Sequence, residues 1–116
     1  MKDRNIPENP SMEDVKYLMD TLYVIGGKWK LPIMMILGEG KTRFKEIQRS
    51  IPNITSRMLS KELKELEMNK IITRSVRDDY PVRIDYEITD YCRSFQPIID
   101  LMIDWGKRHR DYLKSV

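Results

Sequence analysis

A mainly helical α+β domain is predicted by three observations. Apolar residues recur at helical spacing from Val15 to Leu66, and again from Asp90 to about Lys114. Between these regions the period changes, and "IITRSV" and "RIDYEIT" carry the partial alternation of strands. The stretch "RDDYPV" joins them as a hairpin loop. With 116 residues, 41% hydrophobic and 34% charged, the chain suits one globular domain with a modest core.

The elements follow in order. Residues 1–10 hold Pro7 and Pro10 among polar side chains and are expected to form a mobile arm, leaving 11–116 as the folded domain. Ser11 caps a first helix, with Glu13 and Asp14 in its first turn and Val15, Leu18, Met19, Leu22 and Ile25 along one stripe. Gly26-Gly27 ends it, because glycine takes the left-handed cap conformation at least cost. A second helix spans about Trp29 to Leu37, with Pro32 tolerable only in its first turn. Trp29 is read as an anchor at the corner, and Ile33, Ile36 and Leu37 as core.

After "GEGKT", a short third helix covers about Arg43 to Ser50, with Phe44 and Ile47 facing inward. "IPNIT" is a turn, and Thr55 caps a fourth helix running to about Asn69. The hairpin follows. A long terminal helix then begins at Asp90, with Pro97 kinking it near its start.

Several functions lack the residues they need. One cysteine, Cys92, cannot form an internal disulfide, and with the single His109 it falls short of a structural zinc site. No "GxSxG", "HExxH" or "GxxxxGK[ST]" pattern is present, so neither an enzyme nor a cofactor is expected. The longest apolar run, Leu31 to Leu37, contains a proline and is too short to span a membrane. The polar start "MKDRNIPENP" has no apolar core of the secretory kind, so a cytoplasmic protein is expected.

Charge and helix geometry point to nucleic acid. Residues 41–83 hold eleven Lys/Arg against six Asp/Glu, whereas each flank has five against six. A local basic excess is the footprint of a polyanion binder. On the fourth helix, Leu59, Leu63 and Leu66 fall on one side and Arg57, Lys61 and Lys64 on the other, with Ser56 and Ser60 beside them. A basic row on an exposed helix is commonly a solubilising face, and Glu62, Glu65 and Glu67 fit that reading by pairing with neighbouring bases along the helix. The context shifts the balance. A short helix, a tight turn and a second helix with an outward basic row make a helix-turn-helix. A hairpin follows directly with Arg74, Arg77 and Arg83, which is the order of a winged helix.

The terminal stripe of Tyr91, Phe95, Ile98, Met102, Trp105, His109 and Tyr112, widened by Ile99, Leu101 and Ile103, exceeds what a small domain needs for its own core. With Leu18 and Leu22 of the first helix, it is read as a homodimer interface containing Phe95, Ile98, Leu101, Met102, Trp105 and His109. The predicted fold is thus a winged helix-turn-helix with N- and C-terminal dimerisation helices.

The segments "GGKWKLPIMMIL", "TRFKEIQRSIPNITSRMLSKELKELEMNKII", "TRSVRDDYPVRIDYEIT" and "FQPIIDLMIDWGKRH" resemble, in order, the HxlR-type helix-turn-helix transcriptional regulators, winged-helix relatives of the MarR group. The resemblance covers nearly everything from Leu22 to His109. It implies a bacterial or archaeal regulator that binds double-stranded DNA as a homodimer on a roughly palindromic operator. The helix from Thr55 would enter the major groove, and the wing at 77–83 would meet the backbone or minor groove. Recognition would fall to Ser56, Arg57, Ser60, Lys61 and Lys64, with Arg43, Lys45, Arg77 and Arg83 on phosphates or the minor groove and Lys28 near a phosphate.

Two departures stand out. The cysteine that many members carry near the start of the first helix would fall near Lys16 here. Cys92 stands where a glycine is common, as a small, partly buried residue or a weakly activated thiol. A protein-interaction module that keeps the fold without specific DNA binding is the alternative function. The operator, the effector and the direction of regulation are not encoded in these patterns.

Overall fold

The computed structural model describes residues 11–78 and 80–116. The arm expected at 1–10, and one residue of the hairpin loop, lie outside the described residues. The order is α1 (Met12–Ile25), α2 (Lys30–Gly38), α3 (Phe44–Ser50), α4 (Ser56–Met68), β1 (Ile72–Arg77), β2 (Arg83–Ile88), α5 (Asp90–Arg93) and α6 (Gln96–Ser115).

The helix starts follow their capping residues. Ser11 Oγ accepts from the Asp14 amide at 3.0 Å, and Thr55 Oγ1 accepts from the Met58 amide at 3.1 Å. At the end of α1 the left-handed conformation falls on Gly27 (φ 90°), while Gly26 is extended. Gly26 is required for a different reason: a Cβ there would run into the Leu22 carbonyl oxygen. Pro32 lies in the first turn of α2 as the spacing requires.

The C-terminal region differs from the sequence expectation. Pro97 does not kink one long helix. The chain breaks at Ser94 and Phe95 into the short α5 and the 20-residue α6, with Pro97 in the first turn of α6. Pro97 has no amide to donate back to the preceding turn, so helical hydrogen bonding lapses there and restarts with Pro97 in the first turn of α6, where the missing N–H costs little.

The core is built around α2. Ile33, Met34 and Leu37 pack with Ile47 of α3, with Leu59, Leu63 and Leu66 of α4, and with Ile71, Ile72 and Ile99. Each fully buried leucine or isoleucine in this cluster contributes roughly 1.5–3 kcal/mol of apolar burial. Trp29 is half-buried against the cluster at the corner between α1 and α2.

Strands β1 and β2 pair antiparallel, with Ile72 opposite Ile88 and Arg77 opposite Arg83. The Tyr86 amide also donates to the Thr42 carbonyl at 2.9 Å, which ties the hairpin to the loop before α3. Helices α1 and α6 project from this body. The described residues extend 58 × 36 × 24 Å with a radius of gyration of 17.3 Å, against about 13 Å for a compact domain of this length.

Candidate nucleic-acid interface

The turn between α3 and α4 fixes how α4 is presented. Ile51 and Ile54 are buried at its two ends, and Asn53 between them takes a left-handed conformation (φ 69°). Gln48 of α3 donates from Nε2 to Ser56 Oγ at 3.0 Å, bracing the two helices. Ser56 is therefore engaged within the helix-turn-helix while remaining exposed.

On α4, Leu59, Leu63 and Leu66 are fully buried, and Arg57, Ser60, Lys61 and Lys64 are all exposed. The amphipathic split expected from the spacing is realised. The acidic residues follow the expected pairing along the helix only in part. Glu62 and Glu65 turn towards α2, where Lys30 Nζ lies 2.8 Å from Glu62 Oε2 and 3.1 Å from Glu65 Oε1. Within α4, the ion pair among the described residues is Lys61 with Glu65 at 3.6 Å. Burial pulls the Lys30 pKa down, but the hydrogen bonds to Glu62 and Glu65 outweigh it and the net shift is upward. The same contact is the main cause holding the Glu65 carboxyl below its ordinary value.

A second polar knot lies at the base of the wing. Asp85 is buried in β2; its Oδ2 accepts from Arg83 Nε at 3.0 Å and forms an ion pair with Arg77 Nε at 2.9 Å. Its Oδ1 accepts from Thr42 Oγ1 at 3.0 Å. Burial alone would raise the Asp85 pKa. The hydrogen bonds from Arg83 and Thr42 and the charges of Arg83 and Arg77 outweigh it, so the carboxyl titrates below its usual range. Both wing arginines are thus held at Nε, and among the described residues their terminal nitrogens have no further ion-pair partner.

The other predicted contacts divide by place. Arg43 and Lys45 are exposed and line, with Arg83 and Val82, a groove of about 620 Å³ between the start of α3 and the wing. The Arg43 amide is capped by Glu46 Oε1 at 3.1 Å. Lys28 is exposed, but its Nζ stands 4.7 Å from the centroid of the Trp29 ring, a cation–π contact at the α1–α2 corner. Arg74 is exposed on β1.

The surfaces expected at a partner are also open. Leu18, Leu22, Ile98, Leu101, Met102 and Trp105 are all large exposed apolar residues. His109 is exposed and stacks on Trp105 at 4.8 Å between ring centroids. Phe95 differs: it is half-buried against the monomer's own core, so the terminal stripe is shared between core and surface. Cys92 is buried, and burial pushes its thiol pKa up, which disfavours the reactive thiolate.

Lys30, Thr42 and Asp85 are the residues that sequence reasoning passed over. Lys30 interrupts an otherwise apolar run, and Asp85 occupies a strand position whose neighbours 83 and 87 are charged. A lone lysine in an apolar helix was the available signal. Its partners, more than thirty residues away, were not.

A helix-turn-helix with a basic second helix, followed at once by a two-stranded wing, defines the winged helix-turn-helix class. Known proteins narrow this. The family described as HxlR-like helix-turn-helix matches residues 24–114. The chain is similar to the HTH-type transcriptional regulator YtcD of Bacillus subtilis (strain 168), with 44% identity over 101 residues, 84% of this chain and 80% of YtcD. It is also 46% identical over 91 residues to an HTH-type transcriptional regulator of Methanothermobacter thermautotrophicus, covering 78% of this chain and 70% of that one. Among solved structures, the redox regulator HypR in its reduced form superposes with a TM-score of 0.79 at 41% identity, covering 86% of this chain and 99% of HypR. The protein belongs to the HxlR-like helix-turn-helix family and is a transcriptional regulator of that type.

Proposed function

We propose that residues 11–116 form a sequence-specific DNA-binding unit that acts in the cytoplasm as a homodimer on a palindromic operator. In this reading α4 enters the major groove and the wing meets the adjacent backbone or minor groove. The observation that carries it is the division of α4 itself. Three leucines are sunk in the core, and Arg57, Ser60, Lys61 and Lys64 are exposed on the opposite side. Arg57 is suited to bidentate guanine contact, and the lysines to phosphates. Arg43, Lys45 and Arg83, which share one groove, would follow the phosphate backbone beside it.

Dimerisation draws on the apolar surface of α1 and α6. Leu101 and Trp105 are 67% and 61% exposed, and an apolar surface of this breadth marks an interaction site. A twofold axis through these helices would present two α4 helices to two half-sites. The alternative of a protein-binding α4 had rested on its acidic residues. Glu62 and Glu65 are occupied by Lys30, while Glu67 stays exposed, so that support narrows to one residue.

Footprinting on DNA upstream of the protein's own and adjacent genes tests the proposal. Protection of two half-sites with centres about 10–10.5 base pairs apart, or a multiple of that, is expected. A single protected site, or none, would contradict it.

A further inference from the structure

Lys30 is a costly residue to place where it is. Its side chain is 8% exposed and that of Glu62 13% exposed, so both charges have lost most of their water. A buried ion pair is weak support for stability, and apolar residues of similar volume commonly serve as well or better. Stability therefore does not account for a lysine at this point in the core. Orientation does.

We propose that Lys30 is a positioning residue for DNA reading, gripping Glu62 and Glu65 so as to fix the rotation and axial position of α4. The inference rests on the DNA-reading function proposed above. Three leucines decide which side of α4 faces the core, but apolar packing tolerates rearrangement at little cost. Two hydrogen-bonded attachments, one near each end of a three-residue step, leave no such freedom. Nζ reaches Glu62 Oε2 at 2.8 Å and Glu65 Oε1 at 3.1 Å, and the two anchor points lie about 4.5 Å apart along the helix axis. The grip also reaches the presented face. Glu65 pairs through its other oxygen with Lys61 at 3.6 Å. The chain from Lys30 through Glu65 to Lys61 links the core to a side chain assigned to DNA. It also neutralises carboxylates that would otherwise repel phosphates.

The test compares full-length variants on the footprinted operator and on a random-sequence duplex of equal length, at one salt concentration. Lys30→Met alone should lower Tm, because it leaves two carboxylates without their cation. The triple variant Lys30→Met/Glu62→Leu/Glu65→Met removes all three charges together. It should recover Tm while its preference for operator over random DNA falls about tenfold, on the scale of one lost base contact. A triple variant with wild-type preference would overturn the proposal and leave Lys30 a structural role.

If the triple variant does not fold, a second comparison decides the matter. Lys61→Ala should cost severalfold less operator affinity in a Lys30→Gln background than in the wild type, and strictly additive losses would overturn the proposal. Wild-type protein that itself shows no preference would instead remove the DNA-reading function, and the inference with it. That outcome is separate, because it is read before any variant is made.

Discussion

Asp85 shows how a single residue can organise a wing. Its buried carboxylate binds Arg77, Arg83 and Thr42 and so ties both strands to the loop before α3. The folded-state pKa is depressed, so the stability it contributes is fully present above the ordinary carboxylate value of about 3.9. That stability is lost as pH falls through the lower folded value. Unfolding followed against pH should therefore show an acid-side decline in the wild type that is shallower in Asp85→Asn, and identical pH profiles would argue that the knot contributes nothing. Cys92 makes the opposite case. It is buried, and that burial pushes its thiol pKa up. The HypR relative is described as a redox regulator; here burial disfavours the thiolate form of Cys92.

At the scale of elements, the end of α4 carries a local conflict. The Ile71 amide bonds back to the Leu66 carbonyl and the Lys70 amide to the Glu67 carbonyl, each at 3.0 Å, a closure that puts Lys70 in the left-handed region (φ 61°). A side chain there costs of order 1 kcal/mol. Lys70→Gly should raise the unfolding free energy by about 1 kcal/mol or slightly less, measured by urea titration, and a decrease would show that the lysine is needed for another reason.

The elements also show what a sequence can disclose. Helix starts at Ser11 and Thr55 were legible because a side-chain oxygen three residues before a free amide is a local event. The leucine stripe of α4 was legible for the same reason, since period alone decides it. The break before α6 was read only as a kink, because proline marks the place but not how far the two pieces separate. The partners of Lys30 and Asp85 were not legible at all. Lys30 meets carboxylates 32 and 35 residues further along, and Asp85 meets Thr42 across the fold. Such contacts depend on tertiary placement, and no local pattern encodes them.

For the whole molecule, the elongated shape and the exposed faces of α1 and α6 belong together. In the dimer proposed above, the second layer over Leu18, Leu22, Leu101 and Trp105 would come from a twofold-related copy. Leu101→Glu should shift the protein from dimer to monomer in sedimentation equilibrium while leaving its helical circular dichroism largely intact, and should abolish tight operator binding. A wild-type protein that sediments as a monomer would refute the dimer. The central claim is that the exposed face of α4 reads DNA. It is tested most directly by titrating wild type and Arg57→Ala on operator and random duplexes across a salt series. The account predicts affinities that fall steeply with salt for both proteins, and an Arg57→Ala loss of about 1–3 kcal/mol confined largely to the operator. Salt-independent binding, or an equal loss on both duplexes, would contradict it.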